Sequence, residues 1–132
     1  MERHVCDGLR LCRDIMSSDE DQPVVMDLTV GFNSRGLLVV AADLYDYENP
    51  ARDCSTAAVV DREDAEGLAR RYGVAYDSLP DFIAENMDDW REMVNPGVED
   101  VRDCFKDITD RLLEEGCHFH IIDGFSGQKS CK

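Results

Sequence analysis

The sequence predicts an α+β fold: a small sheet of about four strands, built on a β-hairpin, with three to four helices packed mainly on one face. Two observations carry this expectation. Residues 24–47 hold two strand-like runs on either side of a turn, and residues 61–116 carry apolar residues at three- and four-residue steps. The strand-like and helix-like stretches are also largely segregated along the chain, which sets the pattern apart from alternating βα units. At 132 residues the chain is long enough to bury a core and reads as one domain, 1–132.

The elements are expected in the following order. Val5, Leu9, Cys12 and Met16 fall on one helical stripe, so residues 4–16 read as a short N-terminal helix. SSDEDQP (17–23) is polar and ends in proline, and reads as a loop or linker. VVMDLTVGF (24–32) puts Val24, Met26, Leu28, Val30 and Phe32 on one face of a strand. NSRG (33–36) is turn chemistry, and LLVVAADLYDY (37–47) begins apolar on both faces, as a covered central strand does. TAAVV (56–60) is a third strand. Residues 61–73 form a helix with Asp61 as N-cap, Asp64 in the first turn and Gly73 at the C-terminal stop. Ser78 caps a second helix, with Pro80 in its first turn and Leu79, Phe82, Ile83 and Met87 as its apolar face. After NPG (95–97) comes the longest helix, 98–116, with Val98, Val101, Phe105, Ile108 and Leu112 inward. CHFHIIDGF closes the sheet, its neighbour undetermined, and 126–132 reads as a loose tail.

Charge narrows the partners. Acids outnumber bases 29 to 14, a net −15. Nucleic acid and anionic membranes repel such a chain, so neither is expected as a direct partner. No apolar run approaches the length of a membrane span. The six cysteines show no CxxC pair and no zinc-finger spacing, and no signal peptide is visible. A cytoplasmic protein with reduced, mostly buried thiols is expected, with a secreted disulfide framework as the alternative.

Three constellations stand out. His118 and His120, two apart in a strand, point the same way, as in some metal sites, and Cys117 points to the opposite face. No third ligand is fixed by spacing. DAEGLARRYGVAYDSLPDFIAE has the general look of a helix-turn-helix, but Pro80 falls in the would-be recognition helix and Asp77, Asp81 and Glu85 would oppose phosphates. On the long helix, Glu99, Asp103, Asp107, Asp110 and Glu114 fall in one arc opposite the apolar stripe, flanked by Arg102, Lys106 and Arg111. Tyr45, Asp46, Tyr47 and Glu48, with Trp90, add aromatic residues beside charge, a combination enriched at interfaces.

No GxSxG, no cysteine–histidine spacing for a nucleophile and no phosphate-cradling loop is present, so neither catalysis nor a cofactor is expected. Asp43 and Asp46 form a possible carboxylate pair of the kind common by chance. The leading expectation is a small acidic, non-enzymatic protein that binds and inhibits a basic, nucleic-acid-handling target through an acidic surface. A nuclease, toxin or defence complex fits as target, and an immunity protein, antitoxin or phage anti-defence protein, acting as a nucleic-acid mimic, fits as the class. The alternative is a metal-binding enzyme or sensor built on His118 and His120.

Overall fold

The computed structural model describes residues 9–19, 21–49, 51, 54–86, 96–123 and 129–130. A sheet of antiparallel strands runs in sequence order: β1 (Arg10–Ser17), β2 (Val24–Phe32), β3 (Leu38–Asp46), β4 (Cys54–Val60) and β5 (Phe119–Asp123). A two-residue β6 (Lys129–Ser130) pairs parallel with the start of β4. Between β4 and β5 the described residues form three helices, α1 (Arg62–Tyr72), α2 (Leu79–Asn86, entered through a 3-10 turn) and α3 (Val98–Glu114). The α+β class holds, with five principal strands rather than four and three helices.

Strand alternation sorts the core. Met26, Leu28, Val30 and Phe32 of β2 and Leu38, Val40, Ala42 and Leu44 of β3 face the helices and pack with Leu68, Leu79, Ile83, Val101, Ile108 and Leu112. The opposite face is buried as well. Val39, Ala41, Ala57 and Val59 cluster there, with Leu9 and Leu37 packed against them. Burial on both sides explains why β3 begins as a continuous apolar run.

The N-terminal helix expected over 4–16 is not what residues 10–17 form: they are strand β1. Residues 4–8 lie outside the described residues. The physical reason lies in the register. Arg10, Arg13 and Met16 stand opposite Phe32, Val30 and Leu28, with irregularities between Arg10 and Arg13 and between Asp14 and Met16. Each bulge adds a residue to β1, so positions on one face recur every three residues instead of every two. The apolar residues of the expected stripe divide between the faces: Met16 joins the helix-side core and Leu9 packs against the opposite cluster. Leu11 takes up the bend with φ 51. Gly31 lets β1 approach, because a Cβ there would sit 2.9 Å from the Arg10 carbonyl oxygen and 3.0 Å from the Leu9 Cβ.

Residues 18, 19 and 21–23 lie between β1 and β2. The Ser18 N–H donates to the Met26 carbonyl (2.9 Å), and the Met26 N–H donates to the Ser18 hydroxyl oxygen (2.8 Å). Gly73 ends α1 in the left-handed region at φ 67, where glycine is free of Cβ strain. Asp61 occupies the N-cap position of α1, but its side chain makes no capping bond. At α3 the Asp100 carboxylate accepts the Gly97 N–H (2.8 Å), half of a capping box, since glycine has no side chain to return the bond. The final strand lies antiparallel to β4, with Val60 opposite Phe119 and Val59 opposite His120. Phe119 packs against the core, whereas Ile121 is 45% exposed on this outer strand. Residues 129–130 of the expected loose tail are strand β6.

Candidate functional site

The acid row of α3 is built as the helical period dictates. Val101, Cys104, Ile108 and Leu112 are buried, and Glu99, Asp103, Asp110 and Glu114 are exposed on the other side, with Asp107 half-buried beside them. The flanking bases turn back onto this row. Arg102 lies 3.0 Å from Glu99, Lys106 lies 3.9 Å from Asp110, and Arg111 lies 3.8 Å from Asp107. These are solvent-exposed pairs one helical turn apart, each worth only a few tenths of a kcal/mol, about 0.3–0.5. Asp103 and Glu114 have no ion pair among the described residues. Asp103, Lys106, Asp107 and Asp110 line a shallow depression.

At its C-terminal end the row opens on a groove of about 400 Å³ lined by Tyr72, Phe82, Asn86, Arg111, Glu114 and Glu115. The Tyr72 and Phe82 rings meet at 4.8 Å and form its aromatic wall. Glu115 is fixed: it accepts from the Tyr72 hydroxyl at 2.9 Å and from the Arg71 guanidinium, which also reaches the Glu115 carbonyl at 2.9 Å. The Tyr72 hydroxyl and then Arg71 hold the Glu115 carboxyl below its usual range, and the same bond pushes the Tyr72 phenol up. The groove therefore joins a preset aromatic surface to the exposed carboxylate of Glu114. Phe82 had appeared in the sequence only as part of a helix's apolar face.

The turn after β3 divides its predicted binding residues. Tyr47 (37%) and Glu48 are exposed, and Tyr45 is half-buried. Asp46 is only 4% exposed and its Oδ1 accepts the N–H groups of Glu48 (3.1 Å) and Asn49 (3.0 Å). These bonds hold the turn together. Trp90 lies outside the described residues. Asp43 stands opposite Asp27 of β2, which is 1% exposed, and opposite Ser55 of β4.

The α1–α2 hairpin packs as a structural unit. Leu68, Ala69, Leu79 and Ile83 are in the core, and Asp81 and Glu85 meet Arg13 of β1 at 2.6 and 3.8 Å. With Pro80 in the first turn of α2, no basic recognition helix is present there.

The histidines acquire neighbours that spacing could not supply. The Asp61 N–H donates to the His118 carbonyl (2.9 Å), joining the start of α1 to the approach to β5. Asp64 Oδ2 accepts the His118 N–H at 2.9 Å and stands 2.9 Å from His118 Nδ1. Those two contacts, the backbone one first, hold the Asp64 carboxyl below its ordinary range. His120 Nε2 lies 3.6 Å from Asp61 Oδ1. Cys117 is excluded: it is 1% exposed, its Sγ is directed to the Asp64 carbonyl at 3.7 Å, and burial pushes its thiol up. Cys12 and Cys54 are disulfide-bonded, contrary to the expectation of reduced thiols throughout. No helix among the described residues is long and apolar enough to cross a membrane.

Among the described residues, fold and site together define an antiparallel sheet of five principal strands in sequence order, backed by three helices, that exposes an acidic helix. Compared with known proteins, the chain matches no family model, no curated protein and no solved structure.

Proposed function

We propose that the protein is a binding protein, without catalytic activity, that docks through the outer face of α3 on a basic protein surface and blocks it. The observation that supports this best is the acid row ending in the aromatic groove. Glu99, Asp103, Asp110 and Glu114 are exposed along one helix, and Tyr72 and Phe82 stand beside Glu114. A lysine or arginine of the partner would lie along the Tyr72–Phe82 wall with its charge against Glu114, a cation–π and carboxylate combination. The remaining acids would occupy cationic positions that normally receive phosphates. A nuclease, toxin or nucleic-acid-handling defence complex offers such a surface, and the protein would act on it as an immunity protein, antitoxin or anti-defence inhibitor does. With a net charge of −15, association would be fast and steeply salt-dependent.

Asp103 and Glu114 are the residues to reverse, because neither is committed to an ion pair among the described residues. Asp107 is a poorer choice, since a lysine there would face Arg111 one turn away. Affinity capture with the native protein and with Asp103→Lys/Glu114→Lys as baits tests the proposal. The native bait should retain a basic protein at low ionic strength that the variant does not. Retention of the same proteins by both baits would overturn it. The two disulfide-bonded cysteines weigh against a reducing compartment, so capture from an oxidising compartment belongs in the experiment beside capture from the cytoplasm.

A further inference from the structure

A second feature of the molecule lies away from the acid row, where the start of α1 meets the approach to β5. One donor atom each from Asp61, Asp64 and His118 lies within 4.8 Å of the others. His120 stands 3.6 Å from Asp61 and adds a second imidazole. The side chains of Asp61 and Asp64 are 47% and 28% exposed, and those of His118 and His120 are 78% and 80% exposed, so an ion has open access.

The backbone is already arranged for the purpose. The Asp61 N–H to His118 carbonyl bond fixes the two segments relative to each other. The His118 N–H bond to Asp64 orients that carboxylate beside the His118 ring. Asp61 adds an independent sign. It holds the N-cap position of α1 with extended backbone angles (φ −58, ψ 132) and makes no side-chain cap bond. An N-cap aspartate ordinarily turns its carboxylate onto the free N–H groups of the first turn, a bond worth ~1 kcal/mol. Here the carboxylate is instead directed towards the histidines.

We propose that Asp61, Asp64, His118 and His120 form a binding site for a divalent transition-metal cation, zinc being the best match. Mixed imidazole nitrogen and carboxylate oxygen donors suit zinc, whereas calcium and magnesium favour oxygen alone. His118 and one oxygen from each aspartate supply the first three ligands at ~2.0–2.2 Å. His120 supplies the fourth by a small ring movement towards Asp61. Such an ion adds a further tie between the approach to β5 and the start of α1, beside the Asp61–His118 and His118–Asp64 hydrogen bonds.

The test is titration of tag-free, chelator-treated protein with zinc sulfate, followed by calorimetry and by the ring signals of the histidines in NMR. The expected result is a saturable site of about one equivalent, with the His118 and His120 rings perturbed together. His118→Ala and Asp64→Asn should each weaken binding ~10-fold or more. Asp103→Asn on the acid row should leave it unchanged. His120→Ala, on an exposed edge position, keeps the test sound if the other variants fold poorly, and should also weaken binding. Absence of saturable binding up to ~1 mM zinc, the affinity scale of a few kcal/mol, would overturn the proposal. So would binding that leaves both histidine rings unperturbed, or binding that Asp103→Asn weakens as much as His120→Ala does. None of these outcomes bears on the acid row's partner.

Discussion

Replacing Gly31 with alanine tests how β1 joins the sheet. A Cβ at this position would lie 2.9 Å from the Arg10 carbonyl oxygen, 3.0 Å from the Leu9 Cβ and 3.1 Å from the Cys12 Cα. Ordinary carbon–oxygen approaches between neighbouring strands are ~3.3–3.6 Å, so β1 must withdraw by about half an ångström. Two of the three atoms are backbone, and no side-chain rotation relieves them. Overpacking of this kind costs ~1–3 kcal/mol. Gly31 does not have a positive φ, so alanine also gains ~0.4–1 kcal/mol by restricting the unfolded chain. The net expectation is a loss of about 1–2 kcal/mol, or ~3–10 °C in Tm for a chain of this size. Urea unfolding measures the loss, and amide exchange of residues 10–17 locates it. Protection should fall in β1 while β3 and β4 keep theirs. A variant as stable as the native protein, or one that loses protection uniformly, would refute the bulged docking of β1 against Gly31.

Other consequences follow from the core and from the α1–α3 latch. Leu112→Ala, at a fully buried position on α3, should cost ~2–5 kcal/mol in chemical denaturation, whereas Leu113→Ala, 52% exposed, should cost little. Glu115→Gln should reduce stability at neutral pH. The Glu115 carboxyl is held below its ordinary value of 4.5 by Tyr72 and Arg71, so its contribution is present above the ordinary carboxylate pKa. It is lost as pH falls through the lowered folded value, and the stability difference between native and variant should shrink in acid and persist at neutrality. Because the two disulfide-bonded residues both lie in strands of the sheet, thiol reduction should lower the Tm of the native protein; an unchanged Tm would remove the disulfides from the account of stability.

How much of this was legible in the sequence depends on which residues set each feature. Strands β2 and β3 were plain, because Met26 to Phe32 alternate over a regular antiparallel register and the Asn33 turn fixes it. Helix α3 was plain for the same kind of reason: a 17-residue helix carries four turns of period before anything interrupts it. β1 was misread because its apolar residues fall at helical spacing although they divide between the two faces of the sheet, Met16 on the helix side and Leu9 opposite, and two bulges break the alternation that marks a strand. The acid row was legible as an arc, but its internal ion pairs and the groove beside Glu114 depend on where Tyr72, Phe82 and Asn86 arrive. Asp46 looked like surface charge because a turn aspartate and a binding aspartate have the same local sequence. The histidine pair was visible, yet its carboxylate neighbours were not. Asp61 and Asp64 lie more than fifty residues away and read as ordinary helix-start acids until β5 pairs with β4.

The account's central claim is that α3 is the docking surface and that electrostatics drives the docking. The most direct test is the affinity of the native protein for its captured basic partner as a function of salt, measured beside Asp103→Lys/Glu114→Lys. The native complex should weaken steeply as ionic strength rises towards ~1 M, where the screening length falls to about 3 Å. The variant should bind far more weakly at low salt and show a shallower dependence, with an unchanged unfolding midpoint. Equal affinity and an equal salt slope for the two proteins would contradict the claim.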